Sequence, residues 1–360
     1  MSRLLEINNL KISFFTYAGE VKAVDGISFA IESGEAVAFV GESGCGKSVT
    51  ALSIMGLLPS PGKIMDGSIV FNGIEPAKAS AKKLPLINNL DQVSGVDLAK
   101  LSENQMRSIR GNEIGMVFQD PMTSLNPVLT IKNQLMEGLI LHKKVSPAVA
   151  FHKSIELMKL VGIPSPETRI NQYPHQFSGG MRQRVMIAMA LSCEPKLLIA
   201  DEPTTALDVT IQAQILQLML ELKRKSNTSI ILITHDLGVV AGLCQKVIVM
   251  YAGKIVETAA VKDIFYNPRH PYTWGLLKSI PRLNDETKTK LVPIWGQPPD
   301  LLSPPTGCRF APRCDYAMKI CETEAPPFFE VASGHQSACW LLDSRAPKVS
   351  HPIDKGATIA

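Results

Sequence analysis

The chain has 360 residues, 45% hydrophobic and 19% charged, with 37 basic and 33 acidic side chains. This length exceeds one compact core of ordinary size, so we expect a main domain of roughly 250 residues plus an appendage. The composition excludes a disordered chain, and a net charge of +4 gives no support to a nucleic-acid partner.

The amino terminus reads MSRLLE and has no basic region leading into an apolar one, as a secretory signal would. The sequence also lacks a run of about 18 apolar residues, the length that a membrane span needs. We therefore expect the protein to stay in the cytoplasm.

The sequence alternates predicted strands and helices. Apolar runs from Leu4 to Phe15 and from Ala23 to Ile31, separated by turn residues, predict an antiparallel β layer. Continuous apolar runs predict strands buried on both faces of a parallel sheet at Ala36 to Val40, Ile114 to Phe118, Leu197 to Ala200 and Ile230 to Ile233. Helical patterns lie between them, notably at Met181 to Leu191 and Ile211 to Lys225, which favours an α/β sandwich.

Two other segments bound this predicted domain. The polar stretch between Gly73 and Ile114 predicts a surface excursion with at most a short helix near Asn104 to Ile109. The segment Met250 to Ile255 predicts a closing hairpin. Beyond about Ala260, proline and cysteine become frequent, which indicates a separate, loop-rich extension.

The segment Gly41 to Ser48 reads GESGCGKS, the pattern of a phosphate-binding loop, and lies between a buried strand and a helix. Its glycines let backbone N–H groups converge on phosphates, and the helix dipole adds to the attraction. Lys47 would reach the terminal phosphates, and the Ser48 hydroxyl would bind Mg²⁺. The flanking strand and helix argue against the alternative, a chance glycine-rich turn.

Acidic and imidazole side chains follow two of the predicted parallel strands. Asp201 is placed to hold the metal's hydration shell, and Glu202 to orient or deprotonate the attacking water. The alternative is a helix-capping acid pair before Pro203. His235 follows the next strand and could contact the γ-phosphate, although a lone histidine is usually structural.

A second candidate anion site lies at Phe177 to Arg184, which reads FSGGMRQR and begins an apolar-periodic helix. An ordinary Ser178 N-cap is the alternative, but it does not explain the two glycines or the paired arginines.

These motifs, in this order, resemble those of the ATP-binding-cassette (ABC) ATPases over essentially residues 4 to 258. The resemblance implies an ABC-type P-loop nucleotide-binding domain at 1–258, with a mixed sheet core, an antiparallel β layer and a helical subdomain at about 120–192. A small loop-rich extension would follow at 259–360. The residues implied to bind ATP are Tyr17, Gly41, Ser43, Gly44, Cys45, Gly46, Lys47, Ser48 and Val49. Those implied to be catalytic are Glu202, His235, Lys47 and Gln119, and those implied to hold Mg²⁺ are Ser48, Gln119 and Asp201.

The resemblance further implies contacts across a dimer. The turn at Ser178, Gly179 and Gly180 would close over the γ-phosphate of a partner subunit, and the loop at Ala206 to Asp208 would communicate between subunits. Phe177 and Met181 replace the usual leucine and glutamine, but neither change removes a backbone N–H or the serine hydroxyl. For the adenine-stacking aromatic, Tyr17 competes with Phe15.

More narrowly, the chain is similar to the ATP-binding subunits of dipeptide and oligopeptide importers. The stretches that carry this likeness are Phe118 to Pro127, Tyr173 to Arg184, Asn267 to Thr273 and Gly307 to Cys314. The segment from about Pro76 to Gly95 departs from the subfamily by its greater length. The likeness implies two transmembrane permease subunits, a second ABC ATPase as a heterodimer partner, an extracytoplasmic solute-binding protein acting indirectly, and a peripheral location at the cytoplasmic face of the cell (inner) membrane.

Four of the seven cysteines crowd into the tail: Cys308, Cys314, Cys321 and Cys339. Their gaps of five, six and seventeen residues are wider than the close pairs of common zinc sites. The residues alone allow four thiolates on one metal or unrelated reduced thiols. The resemblance favours a [4Fe–4S] cluster, with zinc second.

The predicted function is therefore the ATP-hydrolysing motor of an ABC importer for di- or oligopeptides. The alternatives are the same motor role for another solute, such as a metal chelate, and a non-transport ABC ATPase. A DNA-maintenance ATPase would need a heptad insertion or zinc modules in its head, which the sequence between Lys47 and Ser178 lacks. A two-cassette translation factor and an exporter fused to membrane spans fit no better, because the chain has one cassette and no spans.

Overall fold

The computed structural model describes residues 2–88, 94–204, 209–279 and 293–349. Across these ranges the chain forms two β-sheets with helices around them. The strands are β1 Arg3–Thr16, β2 Gly19–Glu32, β3 Ala36–Val40, β4 Gly62–Phe71, β5 Leu86–Asn88, β6 Ser94–Asp97, β7 Ile114–Val117, β8 Leu197–Asp201, β9 Ser229–Ile233, β10 Lys246–Tyr251, β11 Lys254–Ala260, β12 Phe329–Ala332 and β13 His335–Ser337. The α-helices are α1 Lys47–Ile54, α2 Pro76–Ala81, α3 Glu103–Arg107, α4 Pro121–Ser124, α5 Ile131–Lys143, α6 Pro147–Leu160, α7 Pro166–Arg169, α8 Gly179–Leu191, α9 Val209–Ser226, α10 Leu237–Leu243, α11 Val261–Tyr266, α12 Pro271–Lys278 and α13 Lys319–Thr323.

The first sheet is the predicted antiparallel layer, with strand order β2-β1-β4-β6-β5. In β1, Leu5, Ile7, Leu10 and Ile12 are fully buried or nearly so, whereas Arg3, Asn8, Asn9 and Thr16 face water. The resulting one-sided burial is what an antiparallel sheet with one wet face requires.

The expectation of at most a short helix between Gly73 and Ile114 was wrong. Besides α2 and α3, this segment contains β5 and β6, and β6 pairs with β4 through Val70↔Asp97 and Phe71↔Val96. Val96 and Leu98 are buried in the core. Strands of three or four residues are too short to show the alternation of apolar and polar residues that identifies a strand. In a polar segment they were therefore not predicted.

The second sheet has the order β12-β13-β11-β10-β3-β9-β8-β7, and strands β10, β3, β9, β8 and β7 run parallel to one another. The strands predicted at positions 36–40, 114–118, 197–200 and 230–233 are all present, the second ending one residue earlier at Val117, and every residue of β3, β8 and β9 is buried. Because parallel strands end at one edge of a sheet, the loops after β3, β7, β8 and β9 meet there.

The core has two layers that share strand β3. Val37 and Phe39 pack towards the antiparallel sheet, whereas Ala36, Ala38 and Val40 pack on the opposite side with the helices. The fold class predicted from the sequence, an α/β ABC-type cassette with a mixed sheet and an antiparallel layer, agrees with this arrangement.

Helices α4 to α8 pack with one another beside the parallel sheet, within the range predicted as a helical subdomain. Among the helices in the described ranges, none has both the length and the apolar character needed to cross a bilayer.

The tail is joined to the main sheet through a hairpin. Strand β13 pairs antiparallel with β11 through Glu257↔Ser337 and Thr258↔Gln336, and β12 pairs with β13. The loop-rich extension therefore supplies two strands to the sheet that carries the cassette core.

Glu257 connects β11, the 269–270 loop and the tail hairpin. Its side chain is fully buried and accepts the N–H groups of Arg269 at 2.6 Å and His270 at 3.0 Å. Nε2 of His335 lies 2.8 Å from Oε1 of Glu257, and since a carboxylate can only accept, Nε2 carries the hydrogen. Burial lowers the pKa of His270 to about 4, so this second imidazole stays neutral at pH 7.

We expect Glu257→Gln to destabilise the chain by about 3 kcal/mol, because an amide NH₂ would replace an acceptor facing several buried N–H donors. Urea unfolding of the full chain measures this. The matched control is Glu330→Gln in β12, an exposed residue for which the change should stay within about 0.5 kcal/mol. Equal midpoints for the two variants would contradict the role given to Glu257.

Candidate active site

A cleft of about 300 Å³ lies at the carboxyl ends of the parallel strands. It contains most of the residues predicted to bind or hydrolyse ATP. Its lining consists of Ala23, Gly41, Glu42, Ser43, Gly44, Gly46, Lys47, Ser48, Val49, Gln119, Glu202 and His235. A separate cavity of about 560 Å³ lies beside Asn72, Lys196 and Asn227, and no predicted site residue lines it.

Two glycines give the loop after β3 its shape. A Cβ on Gly41 would fall on the carbonyl of Met250, and a Cβ on Gly46 would lie 2.7 Å from the carbonyl of Ala23. Gly46 also has φ +100°, a conformation that L side chains rarely adopt, and it is the N-cap of α1. The close approach to neighbouring backbone therefore explains both glycines.

Lys47 is the first residue of α1 and is only 8% exposed. Its Nζ donates to the carbonyl of Gly41 at 2.7 Å and to that of Glu42 at 2.9 Å, and Sγ of Cys45 lies 3.5 Å away. The ammonium is thus held at the mouth of the loop, where it can meet a phosphate. Burial raises the pKa of the Cys45 thiol, which keeps it neutral beside this charge.

Ser48 lines the cleft, and the buried Asp201 lies next to it at the end of β8. Burial raises the pKa of Asp201, and its interaction with the Ser48 hydroxyl opposes that shift. Oδ1 of Asp201 is buried without a hydrogen-bond partner among the described residues. A hydroxyl beside a carboxylate with an unused oxygen fits a Mg²⁺ site, since Mg²⁺ takes oxygen ligands.

Glu202 is placed by an unusual backbone and by two side chains from neighbouring loops. Its φ is +48°, and its N–H donates to the carbonyl of Ile233 at 2.9 Å. Nε2 of Gln119 donates to Oε2 at 3.1 Å, and Nδ1 of His235 lies 3.3 Å from Oε1. Strain at a non-glycine residue is typical of functional sites, and here it directs the carboxylate into the cleft.

The Ser178 to Gly180 turn does not line this cleft. Ser178 is the N-cap of α8, its Oγ accepts the N–H of Met181 at 3.3 Å, and Ser178 and Gly179 are exposed. A Cβ on Gly179 would meet no atom within 4 Å. The turn therefore presents an open helix N-terminus to the outside of the chain.

The paired arginines of α8 have structural partners. Nε of Arg182 donates to the carbonyl of Pro174 at 2.8 Å, and Nη1 of Arg184 donates to that of Gly162 at 2.7 Å. These contacts account for the two residues by packing within the helical region, without an anion.

The remaining predicted nucleotide contacts lie apart. Tyr17 is fully exposed at the turn between β1 and β2 and does not line the cleft, and Phe15 is 42% exposed with Lys63 over its ring. Their competing assignments stay predictions. The loop at Ala206 to Asp208 lies outside the described residues.

Two of the four tail cysteines are joined through their backbones, since the N–H of Cys308 donates to the carbonyl of Cys321 at 2.7 Å. Burial raises the pKa of Cys314 to about 11 and of Cys339 to about 12, and the neighbouring thiols add to both shifts. Within the described ranges, no group of three or more His, Cys, Asp or Glu side chains has the arrangement of a metal site.

A backbone N–H group points at one of the tail sulfurs. Sγ of Cys321 accepts the N–H of Met318 at 3.5 Å. N–H donors to sulfur are a usual feature around ligated thiolates.

The sequence did not reveal that the tail reaches the phosphate loop. The Arg313 guanidinium forms a bidentate ion pair with Glu42, at 2.6 and 2.9 Å. Arg313 belongs to the segment singled out for its cysteines, but no local pattern indicates a partner 271 residues away.

Comparisons with known proteins identify the family. The model described as ABC transporter matches residues 24–205, and the one described as oligopeptide/dipeptide transporter, C-terminal region, matches residues 256–321. The oligopeptide transport ATP-binding protein OppD of Bacillus subtilis (strain 168) is 55% identical over 353 residues, 98% of this chain and 92% of the relative. The dipeptide transport ATP-binding protein DppD of the same organism is 54% identical over 347 residues, 96% of this chain and 97% of the relative.

A solved structure agrees with the fold. The dimeric ATP-binding cassette MJ0796, in a post-hydrolysis state bound to ADP and Pi, has a TM-score of 0.60 and 26% sequence identity, covering 72% of this chain and 99% of that chain. The resemblance noted in the sequence is therefore confirmed: the chain belongs to the ABC transporter family and carries the C-terminal region of oligopeptide and dipeptide transporters.

Proposed function

We propose that this chain is the ATP-hydrolysing motor subunit of an ABC importer for di- or oligopeptides. The observation that carries the proposal is the cleft where the phosphate loop, Gln119, Glu202 and His235 meet at one edge of the parallel sheet. The match of residues 256–321 to the oligopeptide/dipeptide transporter region favours peptides over another solute such as a metal chelate.

In the proposed site, the loop N–H groups and Lys47 bind the phosphates of ATP. When ATP binds, Nζ of Lys47 would donate to phosphate oxygens in place of the carbonyls of Gly41 and Glu42, which are its present acceptors. Ser48 and Asp201, with Gln119, would hold Mg²⁺, which neutralises the charge that develops on the transferred phosphoryl group.

Glu202 is proposed to act as the base or orienting group for the attacking water. Its carboxylate is held by Gln119 and lies beside His235, so its orientation is set before substrate arrives. His235 would contact the γ-phosphate from the adjacent strand end, and Gln119 would relay the presence of metal and water to the helical region that begins with α4.

The cleft is proposed to be half of the working site. The exposed Ser178 to Gly180 turn has the open helix N-terminus that a γ-phosphate on a second ABC subunit would need. We expect that subunit to be a different chain. Two permease subunits would convert closure into transport at the cytoplasmic face of the cell (inner) membrane, and a solute-binding protein would act indirectly from the other side.

We propose that the chain consists of a nucleotide-binding domain at 1–258, with a helical subdomain at about 120–192, and an extension at 259–360.

For the extension, we propose that Cys308, Cys314, Cys321 and Cys339 bind one [4Fe–4S] cluster, with zinc as the second choice. The backbone hydrogen bond from Cys308 to Cys321 and the N–H group of Met318 directed at Sγ of Cys321 support this ligand set.

Glu202→Gln should lower ATP turnover by at least about 100-fold in the assembled transporter, because an amide cannot accept the proton of the attacking water. ATP-dependent association of the two ABC subunits should persist. Phosphate release and light scattering measure the two properties.

The matched control is Glu194→Gln, an exposed glutamate with φ +50° before β8, at the opposite end of that strand. Undiminished hydrolysis in Glu202→Gln would remove Glu202 from the proposed mechanism.

Chain purified anaerobically should contain stoichiometric iron and show broad visible absorbance from sulfur-to-iron charge transfer. Cys314→Ser and Cys339→Ser should lose both signals, whereas Cys193→Ser, at a buried cysteine in the helical region, should keep them. Metal analysis measures the content. Zinc in place of iron would change the metal but retain the ligands, and the absence of both metals would reject the ligand set.

A further inference from the structure

Glu42, the second residue of the phosphate loop, is held from three directions. Its N–H donates to Oη of Tyr272 at 2.7 Å, and its carbonyl accepts Nζ of Lys47 at 2.9 Å. Its carboxylate accepts Nη1 and Nη2 of Arg313 at 2.6 and 2.9 Å. Two of these three anchors, Tyr272 and Arg313, belong to the chain beyond residue 258.

The guanidinium of Arg313 is buried and fully hydrogen-bonded. Its side chain is 4% exposed, and every N–H-bearing nitrogen of its guanidinium has a partner. Besides Glu42, these partners are the carbonyl of Trp295 at 3.0 Å, the carbonyl of Ile294 at 3.1 Å and Oη of Tyr251 at 3.2 Å. A guanidinium fixed at so many points holds its partner carboxylate in one position.

Tyr272 is equally fixed. It is fully buried in α12, and its ring packs 4.6 Å from that of Tyr251, over which the Arg313 guanidinium also lies. Tyr251 ends β10, the parallel neighbour of β3, whose last residue leads directly into the phosphate loop. The tail and the core sheet therefore form one rigid support beneath Glu42.

Glu42 is connected directly to the group that meets phosphate. Its carbonyl and that of Gly41 are the two backbone acceptors of Lys47, so a displacement of Glu42 moves an acceptor of that ammonium. The N–H groups of this loop must converge on one phosphate. If its backbone becomes flexible, its affinity for phosphate falls, because binding then has to order the loop.

We propose that Arg313 and Tyr272 are positioning residues for the ATP site, and that the carboxyl-terminal extension thereby sets the nucleotide affinity of the phosphate loop through Glu42. This inference rests on the proposed ATP site at that loop. It gives the extension a part in the chemistry although neither residue reaches the cleft lining.

Arg309 offers a matched control. It lies in the same tail segment, is 7% exposed, and anchors the tail to the core by donating to Asp25 at 2.6 Å and to the carbonyl of Ala252. Among the residues that the structure describes, its hydrogen bonds and ion pairs do not include the phosphate loop. Arg309→Gln therefore removes a comparable tail anchor without releasing Glu42.

The test is the affinity of the full-length chain for the non-hydrolysable analogue AMP-PNP with Mg²⁺, measured by calorimetry. Arg313→Gln should weaken binding roughly tenfold, and Glu42→Gln, which leaves the other Arg313 contacts in place, should do the same. The double variant should bind no more weakly than either single one, since both changes break one link. Arg309→Gln should lower the melting temperature about as much as Arg313→Gln and leave the affinity unchanged.

Two further measurements distinguish a failure of this inference from a failure of the proposed function. In the assembled transporter, Arg313→Gln should raise KM for ATP more than it lowers kcat, because the residue acts on the loop and not on the attacking water. If Lys47→Ala bound AMP-PNP as tightly as the unaltered chain, the proposed ATP site itself would fail. Lost binding in Lys47→Ala together with unaltered binding in Arg313→Gln, or equal losses in Arg313→Gln and Arg309→Gln, would overturn the positioning role alone.

Discussion

The structure depends on the placement of one ammonium group at the end of a buried strand. Lys47 is 8% exposed, and the carbonyls of Gly41 and Glu42 fix its position. This buried cation is stabilised by the backbone carbonyl oxygens that accept its hydrogen bonds, which offset the positive end of the α1 dipole. The close approach of Gly41 to Met250 and of Gly46 to Ala23 holds the loop against the sheet, so the geometry of β3 and β10 is transmitted to the charge.

The parallel sheet brings the other groups to this ammonium. Asp201 ends β8 and Glu202 follows it, His235 follows β9, and Gln119 follows β7, so three neighbouring strands bring these side chains to the same edge. The exposed turn at Ser178 does not line this cleft. One chain thus carries a phosphate-binding loop and, elsewhere on its surface, an open helix N-terminus, an arrangement suited to two subunits that complete each other's sites.

Site residues that belong to a short sequence motif could be predicted from the sequence. Residues whose role depends on a contact between distant parts of the chain could not. The loop from Gly41 to Ser48 and the acids at the end of β8 can be recognised in the sequence, because each follows directly on an apolar strand pattern. Strands β5 and β6 were missed because three or four residues show no periodicity. The ion pair of Glu42 with Arg313 and the contact of Glu257 with His335 join positions 271 and 78 residues apart, and only the folded chain brings them together. The tail looked separate for the same reason.

A crystal structure of the full-length chain with Mg²⁺ and AMP-PNP tests the central claim most directly. We expect Nζ of Lys47 to move from the carbonyls of Gly41 and Glu42 to the phosphates. The Glu42 carboxylate should remain paired with Arg313, and Ser48 and Asp201 should face the metal. Nucleotide bound outside the cleft, or bound within it while Lys47 keeps both carbonyls, would contradict the account.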